Sequence, residues 1–110
     1  MVKRYHVVWS EAAIQDMESV LGWIMAHDSP VAAAHVYEIV TKRAETLAQA
    51  PDRGRVVPEI REMGIVDFRE LIEAPYRICY RVHERDIVIV SVLDGRRDLE
   101  RVLVDRAMRR

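Results

Sequence analysis

Fifteen of the 110 residues are arginine and only Lys3 and Lys42 are lysine; 12 of the arginines lie between Arg55 and the C-terminus. Arginine presents a planar, permanently charged fork that matches the paired oxygens of a phosphate or a carboxylate, so the direction in which the forks project decides what such a chain can hold. Arg77 and Arg81 stand four apart in a stretch of period two, which places them on one side of a strand, about 13 Å apart. If Arg69 in the preceding strand faces the same way, and Arg96 and Arg97 leave the end of the following one, five guanidiniums converge on one concave surface. Such a surface could grip RNA, DNA or an acidic protein segment. The competing reading is ordinary salt-bridging with Glu70, Glu73, Glu84 and Asp98, because the same half of the chain carries 11 acids.

The remaining reactive side chains are few. Cys79 is the single cysteine, so it forms no internal disulfide, and one thiol without a Cys or His cluster makes no zinc site; it is expected as a small, half-buried strand residue. His6, His27 and His35 fall on the first strand and the helices, and His83 lies near a turn, all away from a proton-transfer role. No cofactor and no metal are expected. The net charge of −1 gives no bulk attraction to nucleic acid. With 50% hydrophobic and 32% charged residues the composition is that of a globular protein, and residues 1–110 are expected to form one domain with a shallow core. The start has too short an apolar run for a signal peptide, which points to the cytoplasm and away from membranes.

The elements that must position the arginines follow from periodicity. Lys3 to Trp9 reads as a first strand. Ser10 is a helix N-cap, with Trp9 and Ile14 placed as a hydrophobic staple; Ile14, Met17, Leu21 and Ile24 form the inward stripe, while Glu11, Asp16 and Glu18 point to water. Ser29-Pro30 opens a second helix after a tight break, with Ala33, Val36, Val40, Ala44 and Leu47 as its stripe. Pro51 and Gly54 end this helical hairpin. Ile65 to Ile72, Tyr76 to His83 and Ile87 to Leu93 read as three strands, the last apolar enough to be central, and Leu99, Val102, Leu103 and Ala107 recur at helical spacing in the tail. The fold class is α+β: a small antiparallel sheet with an N-terminal helical hairpin packed on one face.

Two strings carry a family resemblance: Phe68-Arg69-Glu70-Leu71-Ile72-Glu73-Ala74-Pro75-Tyr76-Arg77-Ile78-Cys79-Tyr80-Arg81-Val82, and Val92-Leu93-Asp94-Gly95-Arg96-Arg97-Asp98-Leu99. A hairpin with a Tyr-Arg-x-x-Tyr-Arg motif, an apolar strand and a Gly-Arg-Arg close resemble the RelE/ParE superfamily of toxins, also known as plasmid stabilisation proteins. The resemblance implies a type II toxin–antitoxin pair: growth arrest by the toxin, neutralisation by a cognate antitoxin, and contact with operator DNA only through that antitoxin. It also implies one of two activities. RelE-like members cut messenger RNA on the ribosome, and that reading assigns transition-state contacts to Arg77 and Arg97, with Arg69 and Arg81 anchoring RNA. Leu103 stands where such members carry a late tyrosine, and Asp94 where many carry histidine. ParE-like members poison DNA gyrase and are not hydrolases, and the long hairpin from Ser10 to Ala50 resembles theirs more; Arg69, Arg77, Arg81, Arg96 and Arg97 then belong to a target-facing surface. A third reading is a non-toxic module that acts only in a repressor complex. The antitoxin is expected to supply a partly disordered, acidic, amphipathic segment that folds over the helical hairpin, with the arginines as a further surface it could cover.

Overall fold

The structure, a computed structural model, describes residues 4–95 and 106–108. Strand β1 (His6–Trp9) leads into helix α1 (Glu11–His27), and α2 (Pro30–Glu45) follows after two residues. Both helices begin as their sequences dictate. The Ser10 hydroxyl accepts the Ala13 N–H at 3.1 Å and the Ser29 hydroxyl accepts the Ala32 N–H at 3.0 Å, each satisfying one donor that the first turn leaves without a partner. Proline at the first position of α2 has no N–H to satisfy. A single 3₁₀ turn, Thr46–Ala48, continues α2. Next come a two-residue strand β2 (Arg55–Val56), a one-turn helix α3 (Pro58–Arg61), and the strands β3 (Phe68–Glu73), β4 (Tyr76–His83) and β5 (Asp86–Asp94).

The five strands form one sheet in the order β1-β5-β4-β3-β2. The β3–β4 and β4–β5 pairs are antiparallel, as expected; the two-residue β2, too short to show a period, pairs antiparallel with β3, and β1 joins β5 in parallel, so the sheet is mixed. Periodicity marks a strand without marking its direction. Here the direction follows from α1 and α2 crossing one face before the chain returns to the sheet.

Each face of the sheet has its own core. Under the helical hairpin, Ala13, Met17, Val40, Ala44 and Leu47 pack against Leu71, Ile78, Tyr80, Ile87, Ile89 and Val92. On the opposite face Val57, Ile60, Phe68, Cys79 and Ala107 form a smaller cluster, with Ile65, Val90 and Leu93 against it. The shift from Ile89 to Val92 on the hairpin side breaks the period of two, and the pairing gives the reason: Tyr80 faces Ile89 and Cys79 faces Ser91, so Val90 is an extra residue in β5. A bulge of this kind turns the following side chains over, which lets one apolar strand serve both cores.

Two details of the helices differ from the expected stripe. Ala13 is fully buried while Ile14 is 45% exposed, so α1 is rotated slightly from the expected contact line. Asp16 does not point to water. β1 stops at Trp9, and its last rung is the Ser10 N–H donating to the Ile89 carbonyl, which leaves β5 without a neighbour strand on that side from Val90 onward. The Asp16 carboxylate accepts the Val92 N–H at 3.0 Å on that open edge, and Arg106 donates to the Val90 carbonyl at 3.2 Å. Arg106 also donates to both Asp16 oxygens, the Nη2–Oδ1 bond being 2.8 Å. An ion pair thus satisfies backbone groups that an edge strand would otherwise have to pair.

Candidate functional site

The register of β3 against β4 fixes where the arginines point. Directly paired residues share a face, and Phe68 pairs with Arg81, Glu70 with Cys79, and Ile72 with Arg77. Arg77 and Arg81 therefore lie on the face of the smaller core, as the spacing predicts. Arg69 pairs with Tyr80, a hairpin-side residue, so it projects to the opposite face and does not join the row. Its Nη1 donates to the Gly54 carbonyl at 2.7 Å. Arg96 and Arg97 lie outside the described residues, as do Asp98 and Leu103.

Arg77 is buried, with its fork occupied. Nη1 and Nη2 donate to the two carboxylate oxygens of Glu59 at 2.6 and 2.8 Å, and Nε donates to Glu70 at 2.5 Å. Glu70 is itself fully buried; its second oxygen accepts Arg55 Nε at 2.7 Å. Two positive and two negative charges thus close on themselves, an arrangement that satisfies buried charge instead of leaving it to be neutralised. The Arg77 fork holds the Glu59 carboxyl well below its usual range, at about 2, and the two carboxylates raise the guanidinium above its ordinary value, Glu59 contributing most. Salt-bridging describes Arg77 as found, with Glu59 as the partner sequence reasoning missed. Glu59 stands 18 residues upstream on a helix of one turn, too short to leave a periodic signal.

Arg81 is half-exposed, and its side chain makes no ion pair or hydrogen bond with the described residues. A second set of contacts holds the loop below Arg77 and β2. The Tyr80 hydroxyl donates to the Pro51 carbonyl at 2.8 Å and accepts the Gly54 N–H at 2.9 Å. A Cβ at Gly54 would stand 2.6 Å from the Glu70 carbonyl oxygen and 2.8 Å from the Tyr80 ring, so only glycine fits there. The second tyrosine of the Tyr-Arg-x-x-Tyr-Arg motif is therefore a positioning residue, locking the loop that leads into β2 and α3.

The hairpin carries the other distinctive surface. Trp9, Ile14, Met17, Leu21 and Tyr37, with Glu18 and Thr41, line a groove of about 410 Å³ along α1 and α2. Ile14 and Tyr37 are 45% and 53% exposed within it. Among the described residues no group of three or more His, Cys, Asp or Glu is placed to hold a metal ion, and no helix is long and apolar enough to cross a membrane.

The family described as the ParE toxin of the type II toxin–antitoxin system parDE matches residues 7–99. The chain belongs to the ParE toxin family. It is thus a toxin of a type II toxin–antitoxin system, within the RelE/ParE superfamily. Two solved structures share the fold. A chain of the chromosomal ParDE toxin–antitoxin system from P. aeruginosa superposes with a TM-score of 0.70 at 18% identity, over 84% of this chain and 97% of that one. A chain of the RelBE2 toxin–antitoxin complex from Mycobacterium tuberculosis superposes with a TM-score of 0.57 at 22% identity, over 86% of this chain and 94% of that one. No curated protein sequence matches the chain. Membership accounts for the shared fold, and leaves the target of this ParE family toxin to be argued from its site.

Proposed function

We propose that this toxin arrests growth by inhibiting DNA gyrase and that a cognate antitoxin neutralises it by laying an amphipathic segment in the hairpin groove. The reading rests above all on the ParE family match across residues 7–99. The state of Arg77 supports it. An enzyme that stabilises an in-line phosphoryl transition state needs guanidinium N–H groups aimed at the reacting phosphate, whereas three of the Arg77 N–H donors already bind Glu59 and Glu70. Protein-directed inhibition makes no such demand. The target surface in this reading is the β4 face around Arg81, with Arg77 beneath it and Arg96 and Arg97 added on sequence grounds; Arg69 supports the Gly54 loop from the other face.

The antitoxin is expected to be acidic and amphipathic, with apolar residues at helical spacing that enter between Leu21 and Tyr37. It would cover exposed Ile14 and Tyr37, and operator DNA would be reached through it. The deciding experiment is purified toxin added to gyrase, relaxed plasmid and ATP, with an SOS reporter in cells. We expect loss of supercoiling, trapped cleaved DNA and SOS induction, all reversed by the antitoxin. Unaffected gyrase with rapid truncation of translated messages would replace this reading with ribosome-dependent RNA cleavage, and normal growth under strong expression would leave a binding module only.

A further inference from the structure

The two carboxylates on Arg77 are held very differently. Glu70 sits inside the sheet with no side-chain exposure and is shared with Arg55, so it is a permanent part of the strand pair. Glu59 keeps 27% of its side chain in solvent and rides on α3, a single turn with no side-chain cap. That turn is held to the molecule by Val57 and Ile60, and the residues on its far side, Arg61 to Gly64, are all exposed. Nε toward Glu70 fixes the guanidinium plane, while Nη1 and Nη2 meet Glu59 end-on through both oxygens. This is the two-point geometry by which arginine recognises a carboxylate from any source.

We propose that Glu59 is a built-in competitor: it occupies, from within the chain, a carboxylate-binding fork on Arg77 that an acidic side chain of a partner protein takes when α3 moves aside. The proposal rests on the reading of the β4 face as a partner-binding surface and names what that surface recognises. Exchange of one carboxylate for another keeps the Arg77 charge compensated at the fork, with Glu59 passing to solvent. Arg81, on the same face and free of ion pairs among the described residues, offers a second contact about 13 Å along the strand. A carboxylate is favoured over a polyanion because the two outer nitrogens already hold one through both of its oxygens. An internally closed fork lowers apparent affinity in proportion to the fraction of time it stands open.

The test uses the full-length toxin, its Glu59→Gln variant, and Glu59→Gln combined with Arg77→Gln. The probes are a capped Leu-Glu-Leu-Glu-Leu peptide, its Leu-Gln-Leu-Gln-Leu counterpart and a single-stranded RNA. Glu59→Gln should bind the glutamate peptide about tenfold more tightly than the unaltered toxin, should ignore the glutamine peptide, and should lose the gain when Arg77 is also replaced. Because Glu59→Gln could loosen the fold, the unaltered toxin is also titrated with the glutamate peptide while the Glu59 carboxyl carbon and the Arg77 Nε–H are followed by NMR. Displacement moves the carboxyl signal to a solvated value and keeps the Nε–H signal, which reports the Glu70 bond. Equal peptide affinity in the two proteins, or an unmoved Glu59 signal at saturation, would make Glu59 a structural clip only, and a matching gain for RNA would overturn the carboxylate assignment. Gyrase assays on the unaltered toxin are scored separately, so loss of the gyrase reading leaves this result interpretable.

Discussion

At the scale of single residues, the chain contains an arginine whose surroundings matter more than its type. Arg77 compensates the fully buried Glu70, so Arg77→Ala leaves a desolvated carboxylate with only the exposed Arg55 beside it. Breaking a buried pair from one side costs about 3–5 kcal/mol; urea unfolding of the purified variant should show a loss of this size, with the slope of the transition unchanged. Loss of toxicity in Arg77→Ala must therefore be read against stability, whereas Arg81→Ala should leave unfolding within about 0.5 kcal/mol of the original and tests the surface alone. Acid unfolding isolates Glu59. Its carboxyl is depressed from 4.5 to about 2, so the folded state favours the ionised form; the stabilisation is present above pH 4.5 and is lost as pH falls toward 2. Glu59→Gln should flatten the decline of thermal stability across that window. A variant declining as steeply as the parent would place the acid-sensitive interaction elsewhere.

At the scale of elements, the helical hairpin and β4 were legible in the residues because capping serines, Pro30 and strict alternation from Tyr76 to His83 are local signals. Other features were not, each for a physical reason. The parallel direction of β1 depends on the path of the helices; the bulge at Val90 lies in a run of Ile and Val where every register looks apolar; and α3 is too short to show a period. The face taken by Arg69 followed from register, since a one-residue change in pairing reverses every side chain of a strand. Asp16 was the least legible, because its partners are a backbone N–H and Arg106, 90 residues away. Asp16→Asn keeps the shape and removes the charge. We expect trypsin to cut the Arg106–Ala107 bond several-fold faster in this variant, since the arginine it must engage is no longer held. Unchanged cleavage would mean that the packing of Ala107 alone secures the segment.

At the scale of the whole molecule, two cores share one sheet, and the strands between them carry both the structural charges and the surface arginine. The larger core lies under the hairpin, whose groove is open for a partner, and the smaller is closed by Ile60 of α3 and by Ala107. Cys79 belongs to the smaller core, 1% exposed, and its burial pushes the thiol up to about 12, so at neutral pH it stays protonated and shielded. As the chain's single thiol it acts as an internal clock on that core. The rate at which an alkylating reagent consumes it counts openings of the α3 side, while circular dichroism follows the molecule as a whole. If the two cores open together, both measurements give one free energy. If α3 lifts on its own, as access to the Arg77 fork requires, alkylation outpaces global unfolding, and a partner that locks the smaller core shut would slow the clock without touching the cysteine.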